Sequence, residues 1–387
     1  MTIEFFITVA AALFSFFVVG AVLGAAFSPT FRKKVVEILA PLIRRDLMLA
    51  KVVCNPILEP GAHPWSAEAV LNPAAVALAG RTHLIYRAVG MDGVSRLGYA
   101  SSRNGILFDD FLPYPVYSAE NQKSLLPAHK RHYSPVLYPS GGSWGGCEDP
   151  RMVALEGRVY VTFNMFEDWS LRVGMISLSE EDFLAKRFDK WDGPYILSHG
   201  TRDKNWVLFP EKINGQFAVL HSIIGDTDDE VRIEYTDDVR ELSKQQFESP
   251  DPQKVPDRNI AWHAHVRSAG PPPVKTKEGW LVFYHAHDAA EGDKYKLGAM
   301  LLDLADPTKI LYRSPHPILL PDESYENNGK PGIVYACGAV VRDGLLYIYY
   351  GGADKVVCVA FAPLQAFLKA LTSDAPPTFT SHNAQVT

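Results

Sequence analysis

The hydrophobic pattern of the chain changes character at Lys51. Before it, positions 5–27, opening on Phe5 and closing on Phe27, hold no charged residue. Wound as a helix, such a stretch is long enough to cross a hydrocarbon core of roughly 30 Å. Only Glu4 and the amino terminus precede it, where a cleavable leader would carry Lys or Arg. Arg32, Lys33, Lys34, Arg44 and Arg45 come after it. The pattern predicts a membrane anchor with a basic juxtamembrane segment over residues 1–50, and the positive-inside tendency places the rest of the chain on the cytoplasmic side.

From Lys51 onward the apolar runs are short, and one arrangement returns five times: an apolar run, a glycine turn, and a second run rich in aromatic and β-branched residues. The copies are 74–78 with Gly80 and 82–86; 152–155 with Gly157 and 159–163; 207–213 with Gly215 and 217–220; 273–276 with Gly279 and 280–284; and 338–341 with Gly344 and 345–350. Glycine between two such runs is a hairpin signal. Further strand candidates stand at 95–100, 171–177, 231–235, 297–302 and 356–361. The turn glycines are 58 to 77 positions apart by subtraction, room for blades of about four strands. The expected architecture is all-β: a five-bladed β-propeller over residues 51–371, after the transmembrane helix and before a mobile tail at 372–387. A sandwich with an extra domain is the alternative. In a propeller the inner strands converge on one axial mouth, so residues distant in sequence can form one site. A closing helix is expected at 364–371.

Composition narrows the partners. With 387 residues, 47% of them apolar, the chain can bury a substantial core, and a net charge of −6 gives no basic bias toward nucleic acid. The four cysteines, Cys54, Cys147, Cys337 and Cys358, show neither a disulfide framework nor thiolate-zinc spacing. His263-Ala264-His265 and His285-Ala286-His287 each set two imidazoles on one face of an extended chain, which keeps a metalloenzyme reading open.

The densest chemistry lies in Gly145-Gly146-Cys147-Glu148-Asp149-Pro150-Arg151. Proline biases the residue before it toward an extended conformation, which would hold Asp149 at a rigid corner where sheet meets loop. The plainer alternative is a turn tied off by Asp149, with Arg151 paired to Glu148 on the surface.

Six ordered motifs bear a resemblance. They are Gly-Cys-Glu-Asp-Pro-Arg at 146–151; Lys204-Asn205-Trp206-Val207-Leu208-Phe209-Pro210-Glu211-Lys212; Gly270-Pro271-Pro272-Pro273 running on to Tyr284-His285; Leu302-Asp303-Leu304-Ala305-Asp306-Pro307; Tyr325-Glu326; and Tyr349-Tyr350-Gly351-Gly352-Ala353-Asp354. Together, over about residues 55–371, the chain resembles glycoside hydrolase family 130, the β-mannoside phosphorylases and related β-mannosidases. The resemblance implies a five-bladed propeller and inverting chemistry with one carboxylic acid. By its motif Asp149 would be the general acid, its proton travelling through a hydroxyl of the mannosyl ring. Arg172, Lys204 and His285 fall on the family's positions for phosphate, and Asn72, Arg87 and Asp354 on those for the sugar. No cofactor is implied; inorganic phosphate is the co-substrate and a β-mannoside oligosaccharide the substrate. Tyr99, Trp206, Tyr335 and Tyr350 are candidate stacking faces. Two departures, Asn104-Gly105 and His221-Ser222, stand where many relatives have Asp-Gly and His-Arg. They leave hydrolysis open, with Glu148, Glu211 or Glu326 activating water. A propeller that binds glycans without chemistry is a third possibility.

Overall fold

Each of the five expected hairpins is formed. The computed structural model describes residues 49–119, 126–167, 170–200, 203–224, 230–245, 262, 265–287, 291 and 294–373. After β1 (Ala50–Lys51), the first meander is β2 (Ala69–Leu78), β3 (Arg81–Val89) and β4 (Val94–Ser102), edged by β5 (Asp110–Phe111). The second is β6 (Gly145–Leu155), β7 (Arg158–Glu167), β8 (Ser170–Ser179) and β9 (Asp192–Ile196), and the third β10 (Val207–Leu208), β11 (Phe217–Ile224) and β12 (Glu230–Thr236). The fourth comprises β13 (His265–Ala269), β14 (Val274–Lys275), β15 (Trp280–His287), β16 (Lys296–Leu302) and β17 (Ile310–Arg313). The fifth is β18 (Val334–Arg342), β19 (Leu345–Gly352) and β20 (Val356–Pro363). Two α-helices are described, α1 (Glu180–Leu184) and α2 (Leu364–Leu371), the second where the sequence predicts it.

The turns form for a local reason. At Glu156-Gly157 and Asp343-Gly344 both central residues have positive φ, 50° and 75°, then 51° and 79°. Paired positive φ values give a hairpin turn whose twist matches that of the flanking strands, and glycine adopts one of them without strain.

The all-β class stands, but the five-bladed propeller does not. The described strands fall into four sheets, of four, three, five and eight strands, and none closes on itself. The first two meanders share the eight-stranded sheet because Val94 and Ser95 pair in parallel with Gly145 and Gly146. At Gly146, with φ 113°, an added Cβ would lie 2.1 Å from the Ser95 carbonyl oxygen, so only glycine allows this approach. The fifth meander takes β1 as its edge strand, with Ala50 opposite Phe361 and Lys51 opposite Ala360.

The membrane anchor is corrected as well. Among the described residues no helix is long and apolar enough to cross a membrane. At 1.5 Å per residue, α2 spans only about 12 Å of the ~30 Å required, and its Phe367, Leu368 and Leu371 are buried in the core beside the fifth meander. The run from Phe5 to Phe27, the basic residues after it and the tail beyond Ser373 lie outside the described residues. Neither the anchoring nor the cytoplasmic placement deduced from it has support in the structure.

The apolar core lies between neighbouring meanders. Leu84, Tyr86 and Ala100 of the first pack with Tyr349, Val357 and Val359 of the fifth. The leading strands β2, β6 and β18 approach one another so closely that a Cβ on Gly338 would lie 2.7 Å from the Pro73 carbonyl oxygen. This convergence positions the site.

Candidate active site

Two leading strands break register at the same kind of sequence. In β2 the register shifts between Leu71 and Ala74, around Asn72-Pro73, and in β6 between Glu148 and Arg151, around Asp149-Pro150. A proline has no N–H for the ladder, so a bulge is where a strand can accommodate one. Asn72 and Asp149 both have φ 47° in these bulges. This corrects the extended conformation expected for Asp149: the bulge requires the left-handed region and overrides the bias of the following proline. Asn205, Ala353 and Asp354 share that region, with φ 62°, 54° and 52°. Strained non-glycine backbone of this kind gathers at functional sites.

These residues meet. A cavity of about 230 Å³ is lined by Asn72, Arg87, Asp149, Lys204, Tyr335 and Asp354, and by Pro139, Ser140, Tyr295, Lys330 and Ile333. Asp149 Oδ1 accepts hydrogen bonds from Asn72 Nδ2 at 2.7 Å and Arg87 Nη1 at 3.1 Å. Arg87 is buried and spends its other nitrogens on Glu148 Oε1 at 2.8 Å, the Ser140 carbonyl at 2.7 Å, Ser143 Oγ and Ser95 Oγ. Arg151 turns inward instead of pairing with Glu148. Its Nη1 donates to the Asp149 carbonyl at 2.7 Å, while its Nη2 is buried without a hydrogen-bond partner among the described residues.

Charge and burial set the proton affinities apart. Burial alone would raise the Asp149 carboxyl, but Arg87, Arg151 and Asn72 outweigh it and hold the group below the usual carboxylate range. Burial raises Glu148 despite Arg87, and raises Asp354 despite Lys330 and Arg87. His285 is fully buried, and burial with help from Arg151 pushes its pKa down to about 3, so the ring is neutral. Its Nε2 accepts the Ala336 backbone N–H at 2.9 Å, which places the ring proton on Nδ1, a nitrogen with no hydrogen-bond partner among the described residues. That engagement also removes Nε2 as a metal ligand. His263 of the other histidine pair lies outside the described residues.

Of the seven residues singled out from sequence, Asn72, Arg87, Asp149, Lys204 and Asp354 line the cavity, and His285 stands behind Tyr335, near enough to feel both Asp149 and Lys204. Arg172 is not among the lining residues. It is half-buried on β8 opposite Met165. Among the stacking candidates only Tyr335 reaches it. Tyr99, Trp206 and Tyr350 are core residues, and the Tyr350 hydroxyl donates to buried Glu326. None of the three glutamates considered for activating water lines it either: Glu148 lies behind Arg87, Glu211 pairs with Lys275 and Glu326 with Lys51.

Lys330 escaped the sequence reading. Its Nζ lies 3.7 Å from Asp354 Oδ2 and donates to the Pro139 carbonyl at 3.0 Å. A signal existed in Gly329 beside it, where an added Cβ would lie 2.5 Å from the Ala353 carbonyl oxygen, so the loop sits flush on the turn bearing Asp354.

Comparisons with known proteins identify the family. A family model described as beta-1,4-mannooligosaccharide phosphorylase matches residues 54–373. The chain is 34% identical to the 1,2-beta-oligomannan phosphorylase of Thermoanaerobacter sp. (strain X514), over 82% of this chain and 98% of that protein. It is 31% identical to the beta-1,2-mannobiose phosphorylase of the same organism, over 81% and 96%. Its fold is similar to that of the beta-1,2-mannobiose phosphorylase from Listeria innocua, with a TM-score of 0.64 at 22% identity, covering 84% of this chain and 99% of that one. On the extent of the family match and its similarity to the first of these relatives, the chain belongs to glycoside hydrolase family 130.

Proposed function

We propose that this protein cleaves β-mannosides with inorganic phosphate, inverting the anomeric carbon and releasing α-mannose 1-phosphate. The observation that carries the reading is the Asp149 carboxylate sharing one sugar-sized cavity with Lys204, the other carboxylate there, Asp354, facing Lys330, and Arg151 and His285 standing close enough to act on Asp149. The cavity's volume falls below the ~300–1,000 Å³ of pockets for drug-sized ligands and suits one ring. Asn72, Arg87 and Asp354 would hold that ring by its hydroxyls, with Tyr335 beneath it.

In the step proposed, a phosphate oxygen attacks the anomeric carbon from the face opposite the glycosidic oxygen. The carbon–oxygen bond breaks, and its electron pair stays with the departing sugar. That oxygen takes the proton of Asp149, relayed by a ring hydroxyl, and the proton of hydrogen phosphate restores the acid, so the balance closes on mannose 1-phosphate and a shortened sugar. Phosphate is already an anion and needs cations and donors to hold it in line, not a second carboxylate. Lys204 supplies a charge, Arg151 Nη2 and His285 Nδ1 supply donors, and Arg172, which does not line the cavity, is assigned no share. Phosphate beside Arg151 and Lys204 would engage Arg151, one of the cations that now hold Asp149 ionised, and its own charge would raise the acid's proton affinity.

The relatives matched over nearly their whole length are named for β-1,2-linked mannosides, which makes that linkage the first to assay. The test is incubation with β-1,2- and β-1,4-mannobiose with and without phosphate. Phosphate-dependent release of α-mannose 1-phosphate is expected, and Asp149→Asn should lose about 10²–10⁴-fold in kcat. Equal rates in phosphate-free buffer would sink the reading.

A further inference from the structure

Arg87 stands between two carboxylates of consecutive residues. Its Nη1 donates to Asp149 Oδ1 at 3.1 Å and its Nη2 to Glu148 Oε1 at 2.8 Å. Glu148 is 3% exposed, does not line the cavity, and is fixed further by Ser143 Oγ at 2.9 Å and Ser140 Oγ at 3.1 Å. The two serines come from the loop that forms the cavity wall, and Ser143 Oγ also accepts from Arg87 Nη2 and from Ser95 Oγ. A carboxylate held on both oxygens, shielded from the reacting atoms and joined to the candidate acid through one guanidinium has the geometry of a counter-charge.

We propose that Glu148 is a positioning residue for the acid step: it occupies the second arm of Arg87, fixes where the guanidinium meets Asp149, and offsets enough of its charge for Asp149 to take up a proton. This inference rests on the acid role proposed for Asp149. The groups facing Asp149 fall on two sides. From β2 Asn72, from β3 Arg87, and on its own strand Arg151 favour the carboxylate, as does Lys204 across the cavity. On the other side stand Glu148 and Asp354, the latter already engaged by Lys330. Behind them, β15 and β18 contribute the neutral His285, the half-buried Tyr335 and the buried Cys337, which add no positive charge. Glu148 alone opposes Arg87 through a hydrogen bond to the same guanidinium that holds Asp149. Its raised proton affinity, beside the lowered one of Asp149, is what two acids competing for one cation show.

The substitution Glu148→Gln separates charge from shape. The amide oxygen can still accept from Nη2, but the full charge of Arg87 then falls on Asp149. The experiment is the pH profile of kcat for mannobiose phosphorolysis at saturating mannobiose and phosphate between about pH 5 and 9, with Asp149→Asn in parallel. Because the acid must be protonated, activity falls as pH rises through its pKa. Glu148→Gln is expected to move that alkaline limb acidward by about half a unit, roughly a threefold loss on the limb and little below it. A loss equal at every pH, with the limb unmoved, would reduce Glu148 to a structural role and overturn the proposal. Should Glu148→Gln fail to fold, carboxyl NMR titration of the native protein against Asp149→Asn decides. A Glu148 pKa that falls when the neighbouring charge is removed supports the coupling, and one that stays in place overturns it. Full activity in Asp149→Asn would instead remove the acid assignment, a separate outcome.

Discussion

The imidazole of His285 lies flat on the phenol ring of Tyr335, with ring centroids 3.9 Å apart and planes 6° from parallel. The contact joins β15 to β18, and the Ala336 N–H closes the edge of the imidazole at 2.9 Å. It explains how a histidine with no exposed surface is held neutral, with one donor left without a partner among the described residues.

That burial makes His285 a source of acid lability. Its pKa in the fold, about 3, lies below the ordinary 6.5, so its contribution to stability is present above about pH 6.5 and is lost as pH falls toward 3. Replacing it with a side chain that does not titrate, as in His285→Gln, should flatten the decline of Tm between about pH 6.5 and 5. A decline as steep as in the native protein would show that other groups govern it.

Gly351 lies opposite Tyr335 on β19, and an added Cβ there would come 2.1 Å from Asn72 Oδ1. Gly351→Ala must therefore displace Asn72, whose amide donates to Asp149 at 2.7 Å. Overpacking of this kind costs ~1–3 kcal/mol, and kcat should fall by about tenfold as the carboxylate loses its donor. Thermal melting and steady-state kinetics check both, and unchanged kcat would show that Asn72 can yield without disturbing Asp149.

Lys51, at the start of the described chain, reaches the carboxylate of buried Glu326 at 2.6 Å and also contacts Asp322. Burial raises the Glu326 pKa, with Lys51 opposing, so its stabilising contribution is complete below the unfolded value and lost as pH rises through the folded one. Lys51→Met should destabilise at neutral pH by about 2–3 kcal/mol, below the ~3–5 of a fully enclosed pair because Lys51 is partly exposed. The defect should shrink toward pH 4.5, where Glu326 can be neutral. Urea unfolding at two pH values measures it, and a defect independent of pH would mean that the Lys51 stem, not its charge, is what matters.

Much of the fold was legible because its signals are local. A glycine turn between two apolar runs specifies a hairpin from a few residues, and Gly157 and Gly344 behave as their neighbours require. The assembly of hairpins was not legible in the same way. Joining the first two meanders depends on Val94 meeting Gly145, a contact across a long loop that no periodicity records. The run from Phe5 to Phe27 shows the limit from the other side, since an apolar pattern states what a segment could do and not where it lies.

The same division holds at the site. The sequence alone determined that Asp149 sits next to a proline in a motif of acids and arginine, that the strands are β, and that the motifs are those of a mannoside-active family. Tertiary structure decided which side chains share a cavity. It placed Lys330 inside and Arg172 outside, kept Tyr335 at the wall while burying Tyr99, Trp206 and Tyr350, and turned Arg151 inward. The reason is physical: a strand's alternation fixes which face a side chain takes, but its neighbours come from strands tens to hundreds of residues away, and only packing against them decides whether it meets a substrate or the core.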